Sequence, residues 1–151
     1  MAVLFGCAIV SFAQNSYVAT LQHEGEFTHY YGSGALTSAY NAAETGDIIT
    51  LSPGRFTFSG TFSKAITLRG ANGGLKTGDW TIISDGVSFK PTDATKETTI
   101  EGVRFESTIS ISGQGTLKFI KNVIFAISAY TGPKVRFYNN AIYSTYFYSV
   151  W

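Results

Sequence analysis

The chain reads as an all-β protein, a β-solenoid with one short N-terminal helix. Three observations predict this. Of 151 residues, 44% are apolar and 15% aromatic but only 14% are charged, against about 25% charged in an ordinary globular chain. Short runs rich in β-branched and aromatic residues recur between Gly, Asn, Ser and Thr turns, and one segment alone carries a helical period. Finally, a short strand motif repeats three times near the C-terminus. Length fits one domain. Eleven basic against ten acidic residues leave a net charge of +1, which argues against nucleic acid as a partner and against an acidic disordered tail. With 16 Gly and 3 Pro, the composition is globular and not collagen-like.

Residues 2–13 are a nearly continuous apolar run without a charge. A bilayer span takes about 20 residues, so this run is too short to cross one. It ends in Ser11-Phe12-Ala13, small residues at the −3 and −1 positions, and then turns polar at Gln14-Asn15-Ser16. That is the h-region and cleavage site of a signal peptide, 1–13, and it predicts a secreted or cell-surface protein with no transmembrane segment in the mature chain. The competing reading is a buried N-terminal strand. Leu4-Phe5-Gly6-Cys7 loosely resembles a lipoprotein box, but the apolar run continues past Cys7, which argues against lipidation there. Cys7 is the only cysteine, so no intrachain disulfide forms.

Along the mature chain, residues 14–34 supply an N-terminal cap of two short strands, 17–21 and 27–31, turned at Glu24-Gly25-Glu26. Residues 35–46 make the capping helix. Leu36, Ala39, Tyr40 and Ala43 fall at i, i+3, i+4 and i+7, which places them on one face. Ser33 is the expected N-cap and Gly46 the expected stop. From 47 to 151 the segments read as β-helix coils: strands at 47–51, 55–58, 65–68, 81–83 and 86–89, a loop at 70–74, a polar excursion at 90–96, and strands again from 98.

The repeat sets the architecture. Segments 97–105, 117–125 and 135–143 align without gaps, starting 20 and then 18 residues apart. In that register Thr99, Phe119 and Phe137 stack, as do Val103, Val123 and Ala141, and Phe105, Phe125 and Tyr143. A column of Gly102, Asn122 and Asn140 sits between two strands, with Gly86 as a looser fourth member. A strand repeat of about 20 residues means a solenoid whose coils share one core. The column suits a sharp bend, since Gly and Asn tolerate left-handed backbone best. Stacked Asn side chains also bond to one another. Phe105, Phe119, Phe125 and Phe137 are expected in the core, and Glu101 is expected beside Lys121. The competing fold is a β-sandwich.

The stretch 35–70 resembles the first coil of the right-handed parallel β-helix proteins, the pectate-lyase-like superfamily. The resemblance rests on Ala42-Ala43-Glu44-Thr45-Gly46-Asp47-Ile48-Ile49-Thr50-Leu51, on Ser52-Pro53-Gly54-Arg55-Phe56, and on Lys64-Ala65-Ile66-Thr67-Leu68-Arg69-Gly70. It implies a short helix across the open end of the solenoid, with Leu36, Tyr40 and Ala43 facing in and Asp47 capping the turn into the first coil. A lyase resembling that family needs clustered carboxylates for calcium and a basic proton acceptor. A hydrolase needs several carboxylates on one face.

Here no carboxylate recurs at an equivalent position in successive coils. His23 and His29 lie ahead of the helix and read as surface residues. No catalytic residue, metal ligand or cofactor is assigned. Trp80, Tyr130, Tyr138 and Tyr146 are the candidate glycan contacts, because exposed rings stack on sugars; the bland alternative is that they fill the solenoid. After Arg136 no charged residue remains, and the aromatic run 143–151 lacks the polar last coil a solenoid needs. The pattern predicts a chain truncated at its C-terminus, or one that self-associates through an open edge there. The function expected is a non-catalytic, adhesin-like or glycan-contacting bacterial surface scaffold that meets polysaccharide. The alternative is a fragment of a polysaccharide lyase or glycoside hydrolase whose active coils are missing.

Overall fold

In the computed structural model, which describes residues 17–71, 79–130 and 132–148, alternation of apolar and polar side chains sorts each strand between a core and an outer face. The expected signal segment, Cys7 and the last residues of the aromatic run lie outside the described residues. Strands β1 (Val18–His23) and β2 (Glu26–Tyr31) pair as an antiparallel hairpin. Glu24 and Gly25 turn it at φ 50° and 90°, the left-handed pair that a two-residue hairpin loop needs.

Helix α1 (Ala35–Ala42) buries Ala35, Leu36, Ala39 and Tyr40, and Ala43 just beyond it. Its N-cap is Gly34, without a side-chain bond, and not the expected Ser33. The Ser33 carbonyl instead accepts the Thr57 N–H at 3.0 Å. The helix ends before the expected stop at Gly46, because Ala43 is already extended. Lys64 explains where it ends: its ammonium donates to the carbonyls of Tyr40, Asn41 and Ala43 at 2.9, 3.1 and 2.7 Å. A cation at a helix C-terminus satisfies carbonyls that have no partner within the helix. The Tyr40 hydroxyl returns the contact, accepting the N–H groups of Ser63 and Lys64 at 2.7 and 3.1 Å.

Twelve strands then wind about five coils. The first holds β3 (Ile48–Leu51), β4 (Gly54–Phe56) and β5 (Thr61–Phe62), and the second β6 (Thr67–Arg69), β7 (Thr81–Ile83) and β8 (Val87–Phe89). The third holds β9 (Glu97–Glu101) and β10 (Val103–Ile111), the fourth β11 (Thr116–Ile120) and β12 (Val123–Tyr130), and the fifth β13 (Lys134–Tyr138) and β14 (Ala141–Tyr148). Sheet A runs β13-β11-β9-β6-β3-β1-β2, and sheet B runs β14-β12-β10-β7-β4, with β8 joining β10 to β5. Every pairing between coils is parallel; the N-terminal hairpin is antiparallel, both within itself and where β1 pairs with β3 of the first coil. This is a parallel β-helix with a short helix at its N-terminal end. Phe58, Phe62 and Phe89 stack along its axis at centroid separations of 4.3 and 5.1 Å, and the Tyr40 ring packs edge-on against Phe58 and Phe62. Each buried Phe contributes on the order of 2 kcal/mol by leaving water.

The coil register differs from the ungapped alignment by one residue in its first copy. Phe119 pairs with Phe137 as expected, but on its other side with Ile100 and not Thr99. Val123 lies beside Arg104 and not Val103, and Phe105 lies beside Ile124. Glu101 accordingly faces Ile120 and not Lys121. The ion pairs formed are Glu97 with Lys118 at 3.9 Å and with Arg136 at 3.7 Å. Phe105 and Phe119 are buried, and Phe137 is partly exposed while stacked on Phe119 at 5.2 Å. Phe125 overturns its core assignment, being 56% exposed. Pairing passes from Phe105↔Ile124 to Thr108↔Ala126, so Glu106 and Ser107 together oppose Phe125. This bulge resets the alternation and turns the ring outward.

The slip has a backbone cause. Left-handed φ values fall at Gly102 (69°), Lys121 (52°) and Asn139 (54°), so the bend column is Gly102, Lys121 and Asn139. Asn122 and Asn140 sit one residue later, in line with Val103, and act through their side chains. Asn122 accepts the Val103 N–H at 2.9 Å and donates to the Ile100 carbonyl at 2.9 Å. Asn140 repeats this one coil on, accepting the Asn122 N–H at 2.8 Å and donating to the Phe119 carbonyl at 2.9 Å. Gly86 is not in the column: it lies in the link between β7 and β8, where a β-carbon would sit 3.6 Å from the Thr108 carbonyl oxygen. The second coil uses Gly70, where a β-carbon would strike the Gly102 carbonyl.

Candidate functional site

The bulge in β10 opens a cleft on the outer face of sheet B. Arg104, Phe105, Glu106, Val123, Phe125 and Tyr143 line it, and its volume is about 310 Å³. Arg104 and Glu106 alternate outward from β10. Phe125 on β12 and Tyr143 on β14 occupy equivalent places in neighbouring coils, between the paired residues Ile124↔Ile142 and Ala126↔Ser144. Both rings reach solvent, Tyr143 at 75% exposure. The Glu106 carboxylate accepts a 2.5 Å hydrogen bond from Arg55 of the first coil and lies 3.5 Å from Arg104 Nε. Two planar guanidinium groups and one carboxylate thus stand beside two exposed rings. Such a set offers several donors, shared acceptors and flat apolar faces.

Of the sequence candidates, Tyr130 and Tyr146 share with this cleft the outer face of strands β12 and β14. Both are exposed on the outer face of sheet B, on neighbouring strands β12 and β14, where Tyr146 is in register with Ser128. Phe125 and Tyr130 are five positions apart on one strand, about 17 Å at strand rise. Tyr138 stands elsewhere, on β13 of sheet A, with the Lys118 ammonium 5.7 Å from its ring centroid. Trp80 is half-buried just before β7, its carbonyl accepting the Gly54 N–H at 2.9 Å. The structure therefore brings two of the four together and leaves two apart.

Phe125 and Tyr143 were missed because the ungapped alignment stacked them on Phe105. The signal for them is the pair Val123-Ile124, two adjacent apolar residues where simple alternation allows one.

Asp47 is 7% exposed. Its carboxylate accepts the Glu44 N–H at 2.6 Å, the turn cap its position suggests. It also holds His23 Nδ1 at 2.9 Å, a contact across from β1. That hydrogen bond raises the His23 pKa above its ordinary value. His29 meets Thr20 at 3.0 Å. Among the described residues, no three His, Cys, Asp or Glu side chains cluster in a way that could hold a metal ion, and no helix is long and apolar enough to cross a membrane.

No family model matches the chain, and no curated protein and no solved structure matches it. The parallel β-helix thus rests on the strand topology itself.

Proposed function

We propose that this chain is a non-catalytic, exported β-helix scaffold that contacts glycans, in the manner of surface proteins of the pectate-lyase-like superfamily it resembles, and that it comes from a bacterium. The signal-like residues 1–13 motivate export, and the motifs at 35–70 motivate the superfamily. One observation carries the glycan reading: Phe125 and Tyr143 hold exposed rings in register, beside the Arg55–Glu106–Arg104 cluster, on a face that a solenoid without a ligand would leave polar. Exposed apolar patches of this kind mark interaction sites. Sugar rings present C–H faces to an aromatic ring and hydroxyls to guanidinium and carboxylate groups.

The non-catalytic part rests on carboxylate placement. Hydrolysis of a glycosidic bond uses a pair of acids across the substrate, and Glu106 is the single carboxylate lining the cleft. Its oxygens are engaged by two arginines.

A glycan array tests the reading. Binding by the wild type, with Phe125→Ala and Tyr143→Ala each reducing it about tenfold, is the expected outcome. Silence across the array overturns it. Release of unsaturated products from acidic polysaccharides, with or without calcium, favours the lyase alternative.

A further inference from the structure

The near-zero net charge conceals a polarity along the solenoid. Before Arg55 there is no lysine or arginine, while Glu24, Glu26, Glu44 and Asp47 all lie there. After Glu106 there is no Asp or Glu, while Lys118, Lys121, Lys134 and Arg136 follow. The hairpin and the turn after the helix are acidic; coils four and five are cationic.

These four cations share one region. Lys118 on β11 and Arg136 on β13 are paired neighbours on the outer face of sheet A, with side chains 34% and 55% exposed. Lys134 begins β13 on the same face, and Lys121 stands exposed at the adjoining corner. Two carboxylates of the third coil border the group: Glu97, which Lys118 and Arg136 share, and Glu101 on the same face, in register with Ile120 and flanked on its other side by Arg69. Tyr138 adds an exposed ring next to Lys118. The cleft described above lies on the other sheet. With strands about 4.8 Å apart, the cations are spread over a plane. A small anion would meet two of them at most, whereas a planar array of anions meets all four.

We propose that the outer face of sheet A, over β11 and β13, docks onto a lipid surface carrying anionic headgroups. Basic groups near such a surface add to one another, and a tyrosine ring suits the interface between water and acyl chains. The acidic N-terminal end would be held away from the surface by the same field. Four cations by themselves give weak, salt-reversible docking. The inference uses a different sheet from the glycan reading, so the two can fail separately.

Co-sedimentation of the full chain with vesicles tests it. The expected result is binding to phosphatidylcholine vesicles containing a third phosphatidylglycerol, none to phosphatidylcholine alone, and release at high salt. Lys118→Gln with Arg136→Gln should weaken the partition about tenfold or more. Glu97→Gln should tighten it, an outcome that misfolding does not produce; far-UV circular dichroism checks each variant. No binding to anionic vesicles, an unchanged double variant, or Glu97→Gln without a gain overturns the proposal. So does binding to heparin without binding to vesicles.

Discussion

The coils of the solenoid turn where sheet A passes into sheet B and again where sheet B returns to sheet A, and these two corners are built in opposite ways. Where sheet A passes into sheet B, a buried amide bridges the coils: Asn122 satisfies the backbone of the third coil and is itself held by Asn140 of the fifth. Where sheet B returns to sheet A, among the described residues of the later coils, bare backbone takes this place. A β-carbon at Gly132 would lie 2.2 Å from the Gly113 carbonyl oxygen, and one at Gly113 would lie 2.6 Å from the Pro91 carbonyl oxygen. There the backbones stack directly, and the corner holds because side chains are missing. One corner is stabilised by what a residue adds, the other by what it omits. The first tolerates varied residues at its bend, since Gly102, Lys121 and Asn139 all adopt left-handed φ there.

The largest effect is expected at the amide corner. Asn122→Ala leaves the Val103 N–H and the Ile100 carbonyl without partners in a buried place and opens a small cavity. At about 1–3 kcal/mol for each unsatisfied group, the loss should be about 4 kcal/mol in urea unfolding. A loss near that of an exposed substitution would show that water can replace the amide, and the contrast between the corners would weaken. Gly132→Ala comes next. Its β-carbon must push the Gly113 carbonyl aside at a φ of 143°, a conformation that L-residues rarely adopt. A loss of about 2 kcal/mol is expected, and the same method reads it.

These corners also separate what is legible in the sequence from what is not. The Asn122 and Asn140 column is visible in sequence because a side chain does the work and the same residue type recurs. The glycine corner is not visible: Gly113 and Gly132 sit in loops of unequal length, and nothing in their spacing announces a stack. The register slip has the same origin. Gly102 resembles Asn122 as a turn residue, so an ungapped alignment pairs them, but the backbone pairs Gly102 with Lys121. A lysine at left-handed φ carries no sequence signature. The glycan-face candidates suffered in turn: the bulge opposite Phe125 is a backbone event, and without it Phe125 and Tyr143 look like core. Tyr130 and Tyr146 lie beyond the bulge, where alternation alone places them outward.

Lys121 offers a smaller test that sharpens the contrast. It is the one member of the bend column with neither the freedom of glycine nor the short polar side chain of asparagine. Left-handed backbone costs an ordinary residue about 1 kcal/mol, and glycine gives back part of that gain through its freer unfolded chain. Lys121→Gly should therefore stabilise by about 0.5 kcal/mol. A clear loss would mean that the lysine side chain contributes to the corner, as the asparagines do.

The smallest effect belongs to the first turn of the glycine corner, where Gly46 is followed by Asp47 and a side chain takes over again. Asp47 holds the Glu44 N–H and His23 together. The Asp47 hydrogen bond is the main cause of the raised His23 pKa; desolvation opposes it, and the charges of Asp47, Glu24 and Glu44 add to it. A folded pKa above the unfolded value means that the contact stabilises fully below about pH 6.5, the ordinary histidine value. The contribution is lost as the pH rises through the folded value. The His23 side chain is 42% exposed, so solvent screens the contact and the change in Tm between mildly acidic and mildly alkaline buffer should be small. His23→Gln should match the wild type at alkaline pH and fall below it at acidic pH. A difference between the two proteins that stays constant with pH would show that His23 acts by shape and not by charge. This turn would then be held as the asparagine corner is, by neutral hydrogen bonds alone.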